Sequence, residues 1–272
     1  MNTQTSTPQI DNRLELAKRL AIEAGKGTLE FFQSADLAVE SKSDDSPVTV
    51  ADKNAEQFIR SQLASHFPDD GIIGEEFGES AGTSGYRWIV DPIDGTKSFI
   101  SGVPLYGTLI GVEHEGKSLI GVIYIPCLDE CVYAAKGQGA WYVQGDKAPV
   151  RAQVSDCKTL KQGLFVTSQV STFAARNASA AFGRLEESAY ITRTWGDCYG
   201  YLLVATGRAA AMVDPMMSVW DAAALQPIME EAGGTFTDWS GKPTIFSGEG
   251  IGTNGHVLEE VLAICQDYPA LS

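Results

Sequence analysis

Histidine is scarce in this chain, with three residues, His66, His114 and His256, among 272. Each stands in a polar or helix-edge context, where a surface or capping role is the plain reading. Chemistry that needs a histidine nucleophile or a histidine-rich metal site is therefore disfavoured. Cysteine offers no substitute, because Cys127, Cys131, Cys157, Cys198 and Cys265 are odd in number and scattered. Cys127 and Cys131 lie four apart, but no second Cys or His pair follows at zinc-site spacing. None of the five is followed six residues later by Arg, which removes the cysteine-phosphatase loop. Buried, reduced thiols in a reducing cytoplasm are expected. A Gly-x-Ser-x-Gly elbow and a Walker A loop are also missing, which argues against a serine hydrolase and an NTPase. No apolar run approaches the length of a membrane span. Met1 to Asp11 is polar, carries no apolar h-region and reads as a frayed tail, with no secretory leader expected.

Positive charge is short as well. Twenty Lys and Arg face 35 Asp and Glu, for a net charge of -15. Nucleic acid and anionic membranes are poor partners for such a surface. A phosphorylated ligand would be repelled too, unless bound metal cations invert the field locally.

What is present is an ordinary globular balance, 44% apolar and 20% charged, long enough for two subdomains sharing a core. Periodicity predicts helices over Arg13–Phe32 and Ala51–His66, then a strand over Tyr86–Val90. Strands are expected over Gly107–Val112 and Ser118–Ile125, joined by a turn at 113–117, and over Cys131–Ala135 and Gly139–Val143. Beyond residue 150 the pattern changes. Strands over Gly163–Thr167, Ala209–Val213 and Gly233–Asp238 alternate with helices over Ser171–Phe182, Asp197–Gly207, Trp220–Ala232 and Val257–Ile264. The expected organisation is an antiparallel-leaning α+β subdomain, 1–150, and an α/β subdomain, 151–272.

Carboxylates carry the chemistry. In Trp88-Ile89-Val90-Asp91-Pro92-Ile93-Asp94-Gly95-Thr96 an apolar strand runs into Asp-Pro, where the chain is expected to turn. In a continued strand Asp91 and Asp94 would face opposite sides; a turn would converge them. Converging carboxylates repel unless cations sit between them, and hard cations such as Mg²⁺ take oxygen ligands, the Ile93 carbonyl included. Gly95-Thr96 then opens a short helix, whose free amides suit phosphate oxygens. An Asp-Pro turn with an Asp-Gly corner is the bland alternative. Three further segments follow the same theme. Gly74-Glu75-Glu76 ends a short apolar run, Thr49 and Asp52 flank a helix start, and Trp220-Asp221 opens an apolar helix. Solvated acids, helix caps and dipole stabilisation explain each singly; all four together, in this order, are hard to attribute to chance.

With these pieces the sequence resembles the inositol-monophosphatase-like superfamily of Mg²⁺-dependent phosphatases. Val-Thr-x-x-Asp at 48–52, Gly-Glu-Glu at 74–76, Asp-Pro-Ile-Asp-Gly-Thr at 91–96, Trp-Asp at 220–221 and Glu-Ala-Gly-Gly at 231–234 carry the resemblance. It implies an α-β-α-β-α sandwich of alternating helix and sheet layers, and commonly a homodimer. It implies that Glu75, Asp91 and the Ile93 carbonyl hold one Mg²⁺, that Asp91, Asp94 and Asp221 hold a second, and that Glu75 with Asp52 contributes to a third. Thr96 and Glu75 would orient and help deprotonate the attacking water, and the Gly95 and Thr96 amides would bind phosphate. Two-metal hydrolysis of this kind needs no covalent phosphoenzyme.

Within the superfamily, the segments 94–104 and 193–201, with Asp214-Pro215-Met216-Met217, are most similar to histidinol-phosphate phosphatases of the inositol-monophosphatase type. That resemblance implies hydrolysis of L-histidinol phosphate in histidine biosynthesis, with Asp94, Gly196, Asp197, Cys198, Asp214 and Asp221 around the substrate. Asp197 and Asp214 suit a cationic amine, and Trp195 or Tyr199 an imidazole; a helix N-cap and a core aromatic are the bland readings of Asp197 and Trp195. An inositol-1-phosphate or broad small-phosphate phosphatase is the alternative on the same scaffold. A non-catalytic metal-binding regulator is the alternative of another class, and catalysis that vanishes with chelator would dismiss it.

Overall fold

The computed structural model describes residues 7–35, 37–41 and 47–269. The chain opens with α1 (Thr7–Thr28), β1 (Val39–Ser41), β2 (Pro47–Thr49) and α2 (Val50–His66). Next come β3 (Gly71–Gly74), β4 (Gly78–Ser80), β5 (Tyr86–Asp94) and α3 (Thr96–Ile100). A meander follows through β6 (Gly107–His114), β7 (Lys117–Ile125), β8 (Glu130–Ala135), β9 (Gly139–Gln144) and β10 (Val150–Arg151). Then β11 (Leu164–Val166), α4 (Val170–Ala175), α5 (Ser179–Ser188), β12 (Ile191–Arg193), α6 (Asp197–Ala205) and β13 (Ala211–Asp214) alternate. The chain finishes with α7 (Val219–Ala222), α8 (Leu225–Glu231), β14 (Thr235–Thr237), β15 (Gly250–Thr253) and α9 (Leu258–Cys265).

Apart from the small β1–β2 pair, two sheets organise these elements. The larger runs β10-β9-β8-β7-β6-β5-β3-β4, antiparallel except for the parallel β3–β5 pair. The smaller runs β12-β11-β13-β15-β14, with β11 parallel to both β12 and β13. Strand alternation sends side chains to both faces of each sheet. On β5, Trp88 and Val90 enter the core beneath α1 and α2, while Ile89 enters a central core with α6 and α8. On β13, Met212 joins that central core, while Ala211 and Val213 join a third core with α5 and α9. The result is the α-β-α-β-α sandwich implied by the resemblance.

Close approach in the middle layer depends on two glycines. A Cβ on Gly111 would meet the Ala223 Cβ at 2.6 Å, and one on Gly121 would meet the Ala224 carbonyl oxygen at 2.0 Å. The α7–α8 junction therefore lies directly on β6 and β7, which fixes the height of Asp221 above the sheet.

Several expectations need correction. Residues 7–11 belong to α1, because Ile10 packs on the core beneath that helix and Arg13 pairs with Asp70 at 2.8 Å; residues 1–6 lie outside the described ones. The single helix expected over Ser171–Phe182 is broken into α4 and α5 at Asn177, whose φ is 62°. The helix expected over Trp220–Ala232 is broken at Ala223–Ala224. Pro227 has no amide hydrogen for the Ala223 carbonyl, which accepts instead from Ser118 Oγ at 2.6 Å. The chain does not turn at Pro92, because β5 continues through it to Asp94.

Candidate active site

The β5–β6 register explains how a strand through Pro92 still converges its two aspartates. Asp91 faces Leu109 and Asp94 faces Gly107, so β5 carries one extra residue between them. That bulge resets the alternation that would otherwise send Asp91 and Asp94 to opposite faces. Asp91 shares the face of Ile89, toward the middle layer, and Asp94 rejoins it. The bulge is pinned by Asp91 Oδ1, which accepts the Ile93 amide at 3.0 Å, and by the Pro92 carbonyl, which accepts Thr108 Oγ1 at 2.9 Å. Gly95 then adopts φ 84° as the N-cap of α3, and Thr96 donates its hydroxyl to the Ile93 carbonyl at 3.1 Å.

Two helix starts deliver further acids. At α2 the Thr49 amide and hydroxyl donate to Asp52 Oδ2 at 2.8 and 2.6 Å, completing a capping box. At α7 the Ser218 amide donates to Asp221 Oδ2 at 2.6 Å in a second box. Asp52 is thus the helix cap expected of it, and Asp221 is a cap where dipole stabilisation was expected, yet each box leaves an oxygen for other work. Asp52 Oδ1 is buried with no hydrogen-bond partner among the described residues. Ligand oxygens of Asp91, Asp94 and Asp221 all lie within 4.8 Å of one another. Glu75 follows β3, the parallel neighbour of β5, and its amide donates to the Val90 carbonyl at 3.2 Å.

The electrostatics fit a cation. Burial first, then the charges of Glu75, Asp94 and Asp221, push Asp91 well above the usual carboxylate range. Burial, then Asp197 and Asp221, does the same to Asp94. Burial, opposed by the Ser218 amide, raises Asp221 to about 6. Asp52 is raised by burial, with Glu75 adding to the rise. No Lys or Arg forms an ion pair with Asp91, Asp94 or Asp221 among the described residues. Such a cluster needs protons or metal ions to stay folded together, and its all-oxygen donors suit hard divalent cations.

A cavity of about 420 Å³ opens over the cluster, lined by Glu75, Asp91, Ile93, Asp94, Gly95, Thr96, Asp197 and Asp221 among others. A second lobe of about 160 Å³ shares Asp94, Asp197 and Asp221 with it and adds Cys198, Asp214, Tyr201, Met216 and Met217. Asp214 is held by the Ser168 amide at 3.2 Å and the Tyr201 hydroxyl at 3.1 Å, and burial raises it to about 7. Burial also raises Asp197.

Some expected residues stand apart. Asp52 does not line either lobe, nor does Gly196, where a Cβ would meet the Ser168 Cα at 2.1 Å. Gly196, not Asp197, is the N-cap of α6. Trp195 is 44% exposed and so is not a core aromatic, and neither it nor Tyr199 lines the cavity. Ser168, Gln169, Thr172 and Lys97 do line it and were not singled out in the sequence. The first three follow β11 in a segment without charge or spacing to mark it; Lys97 stood in a noted motif but invited no role.

Comparison with known proteins places this geometry among relatives. The profile of the inositol monophosphatase family matches residues 9–270. The chain is 48% identical to a histidinol-phosphatase of Chlorobaculum parvum over 238 residues, covering 88% of this chain and 90% of that protein. It is 38% identical to a histidinol-phosphatase of Mycobacterium tuberculosis, covering 92% and 96%. Among solved structures, an inositol monophosphatase from Zymomonas mobilis superposes with a TM-score of 0.81 at 32% identity, covering 94% and 98%.

Proposed function

The chain belongs to the inositol monophosphatase family, and we propose that it is a Mg²⁺-dependent phosphomonoesterase that hydrolyses L-histidinol phosphate to L-histidinol and phosphate. The observation that carries the class is the convergence of the buried Asp91 and Asp94 with the half-buried Asp221 on one cavity, with no Lys or Arg paired to them among the described residues. Glu75, Asp91, the Ile93 carbonyl, Asp94 and Asp221 would hold two Mg²⁺ ions, and the open oxygen of Asp52 with Glu75 would serve a third. Bound there, the ions supply positive charge to the phosphoryl oxygens and leaving oxygen and acidify the attacking water.

The chain's own residues do the rest. The Gly95 and Thr96 amides, at the start of α3, bind phosphate oxygens. Thr96 gives its hydrogen to the Ile93 carbonyl, which leaves its oxygen free to accept from the attacking water. Glu75, at the edge of the same cavity, takes that water's proton as the new P–O bond forms and the bond to the alcohol breaks. Asp197 and Asp214, with the Cys198 segment, face the alcohol. The amine of histidinol is a cation, and the buried Asp214 with the half-buried Asp197 in the second lobe offer it charge-assisted hydrogen bonds; the histidinol-phosphatase relatives support the same substrate. Residues 1–150 and 151–272 form the two subdomains that share this site. Five free cysteines suit a reducing cytoplasm, and a homodimer is the proposed assembly.

The test is phosphate release, with Mg²⁺, from histidinol phosphate, inositol 1-phosphate and 3′-phosphoadenosine 5′-phosphate. The expected result is a kcat/KM highest on histidinol phosphate by orders of magnitude. If inositol 1-phosphate wins or the panel is flat, the substrate assignment fails and the phosphatase survives. Release from none of them would favour a metal-binding regulator.

A further inference from the structure

Glu56 has no place in the chemistry above, yet its side chain is fully buried. It lies on α2, one turn beyond Asp52. Oε2 accepts the Glu76 amide at 2.7 Å, and Oε1 accepts the Phe77 amide at 3.2 Å and Arg60 Nε at 2.7 Å. Arg60 in turn donates to the Gly78 carbonyl and to Ser80 Oγ at 3.3 Å, and its guanidinium lies 6.0 Å from the Phe77 ring centre. Contact is so close at Gly74 that a Cβ there would fall 2.0 Å from Glu56 Oε1.

These bonds converge on one short stretch. β3 and β4 pair as far as Gly74 opposite Gly78, so residues 75–77 form the turn between them. The Glu75 amide is taken by the Val90 carbonyl, and the next two amides by Glu56. Every backbone donor of the turn is thus assigned to a fixed acceptor, one on β5 and two on α2. A buried carboxylate is costly to desolvate, and well-packed apolar residues commonly serve stability as well or better. Here the carboxylate ties down the two residues that follow Glu75, the neighbour of the Asp91 cluster, from the same helix that carries Asp52.

We infer that Glu56, braced by Arg60, is a positioning residue that fixes Glu75 relative to Asp91 and Asp52, and thereby sets the affinity of the site for divalent cations. The inference rests on the reading of Glu75 as a metal ligand. Glutamine at position 56 keeps the shape but offers one acceptor oxygen where two are used, and turns N–H donors toward an amide or guanidinium donor.

The experiment compares Glu56→Gln with Glu75→Gln and wild type. Mn²⁺ binding to the metal-free protein is measured by titration calorimetry, alongside the Mg²⁺ dependence of phosphate release. For Glu56→Gln the Mn²⁺ affinity is expected to fall, and the Mg²⁺ half-saturation to rise, by about 10- to 100-fold, as for other groups that orient ligands. KM for histidinol phosphate at saturating Mg²⁺ stays at the wild-type value. If Glu75→Gln weakens Mn²⁺ binding while Glu56→Gln changes neither metal readout, the inference is wrong and Glu56 is only a buried ion pair. If Glu75→Gln leaves Mn²⁺ binding intact, the ligand assignment itself falls, and the inference with it. Should Glu56→Gln fail to fold, Arg60→Lys reads the same link. It keeps the charge beside Glu56 and gives up the fork to Gly78 and Ser80, so a smaller shift in the same direction supports the inference and no shift overturns it.

Discussion

The Asp94 carboxylate, at the end of β5, accepts the backbone amide hydrogen of Cys198, 104 residues later in the first turn of α6. This bond joins the large sheet to the middle helix layer at the site itself. It also fixes one Asp94 oxygen in a carboxylate that has an oxygen within 4.8 Å of those of Asp91 and Asp221. Asp94→Asn keeps an acceptor for Cys198 but removes a charge from a crowded anionic cluster. Phosphate release with Mg²⁺ should fall at least about 100-fold, because a direct ligand matters no less than the groups that orient it. In EDTA the variant should melt at the same temperature as wild type or higher, because a repelling charge is gone. Unchanged activity with a lower melting temperature in EDTA would reduce Asp94 to a cap for α6.

The raised carboxyls make stability depend on pH in a stated direction. Asp91 and Asp94 stand well above their ordinary value of 3.8, and Asp221 at about 6, chiefly through burial. A group whose folded pKa exceeds its unfolded one binds more protons when folded, so stability falls as pH rises between the two values. Melting temperature in EDTA should therefore drop as pH rises from about 4 through 7. Saturating Mg²⁺ should restore little at pH 5 and much at pH 8, because the cation replaces protons that only the acidic solution supplies. Calorimetric scans across that range check this; an equal Mg²⁺ gain at both ends would mean that the cluster does not take up the ions.

The sequence made the acids of the site visible for a physical reason. Asp91, Asp94 and Asp221 stand against apolar runs that have no use for charge, so a bound cation was the economical explanation, and the burial of Asp91 and Asp94 and the half-burial of Asp221 follow from that contrast. What the sequence hid was geometric. Pro92 suggested a turn, and only the one-residue mismatch with β6 reveals a bulge that does the same job within a strand. Pro227 marked the break between α7 and α8, but the apolar run on both sides masked it until Ser118 was seen to take over the Ala223 carbonyl. The short strands β12 and β15 escaped because three or four residues, in one case largely glycine and threonine, carry no readable period. Gln169 and Thr172 reach the cavity only through the parallel packing of β11 beside β13, which joins residues far apart in the chain.

Asp214 gives the sharpest reading of substrate, because its charge turns on within the working range. Burial raises it to about 7, against hydrogen bonds from Ser168 and Tyr201 that favour the charged form. Below that pH it is largely neutral and attracts an ammonium group weakly; above it the full charge is available. KM for histidinol phosphate should therefore fall as pH rises from 6 to 8, beyond any change seen with inositol 1-phosphate, which shares the titrating phosphate but has no amine. Asp214→Asn should raise KM for histidinol phosphate by about 10- to 150-fold at pH 8, the loss of one charge-assisted bond of about 1.5–3 kcal/mol. It should leave kcat and the inositol phosphate KM near wild type, and erase the extra pH dependence. Steady-state kinetics with both substrates at each pH decide the matter. If the two substrates respond alike to the substitution, Asp214 does not read the amine, and its bonds to Ser168 and Tyr201 serve only to join β13 to α6 and the segment after β11.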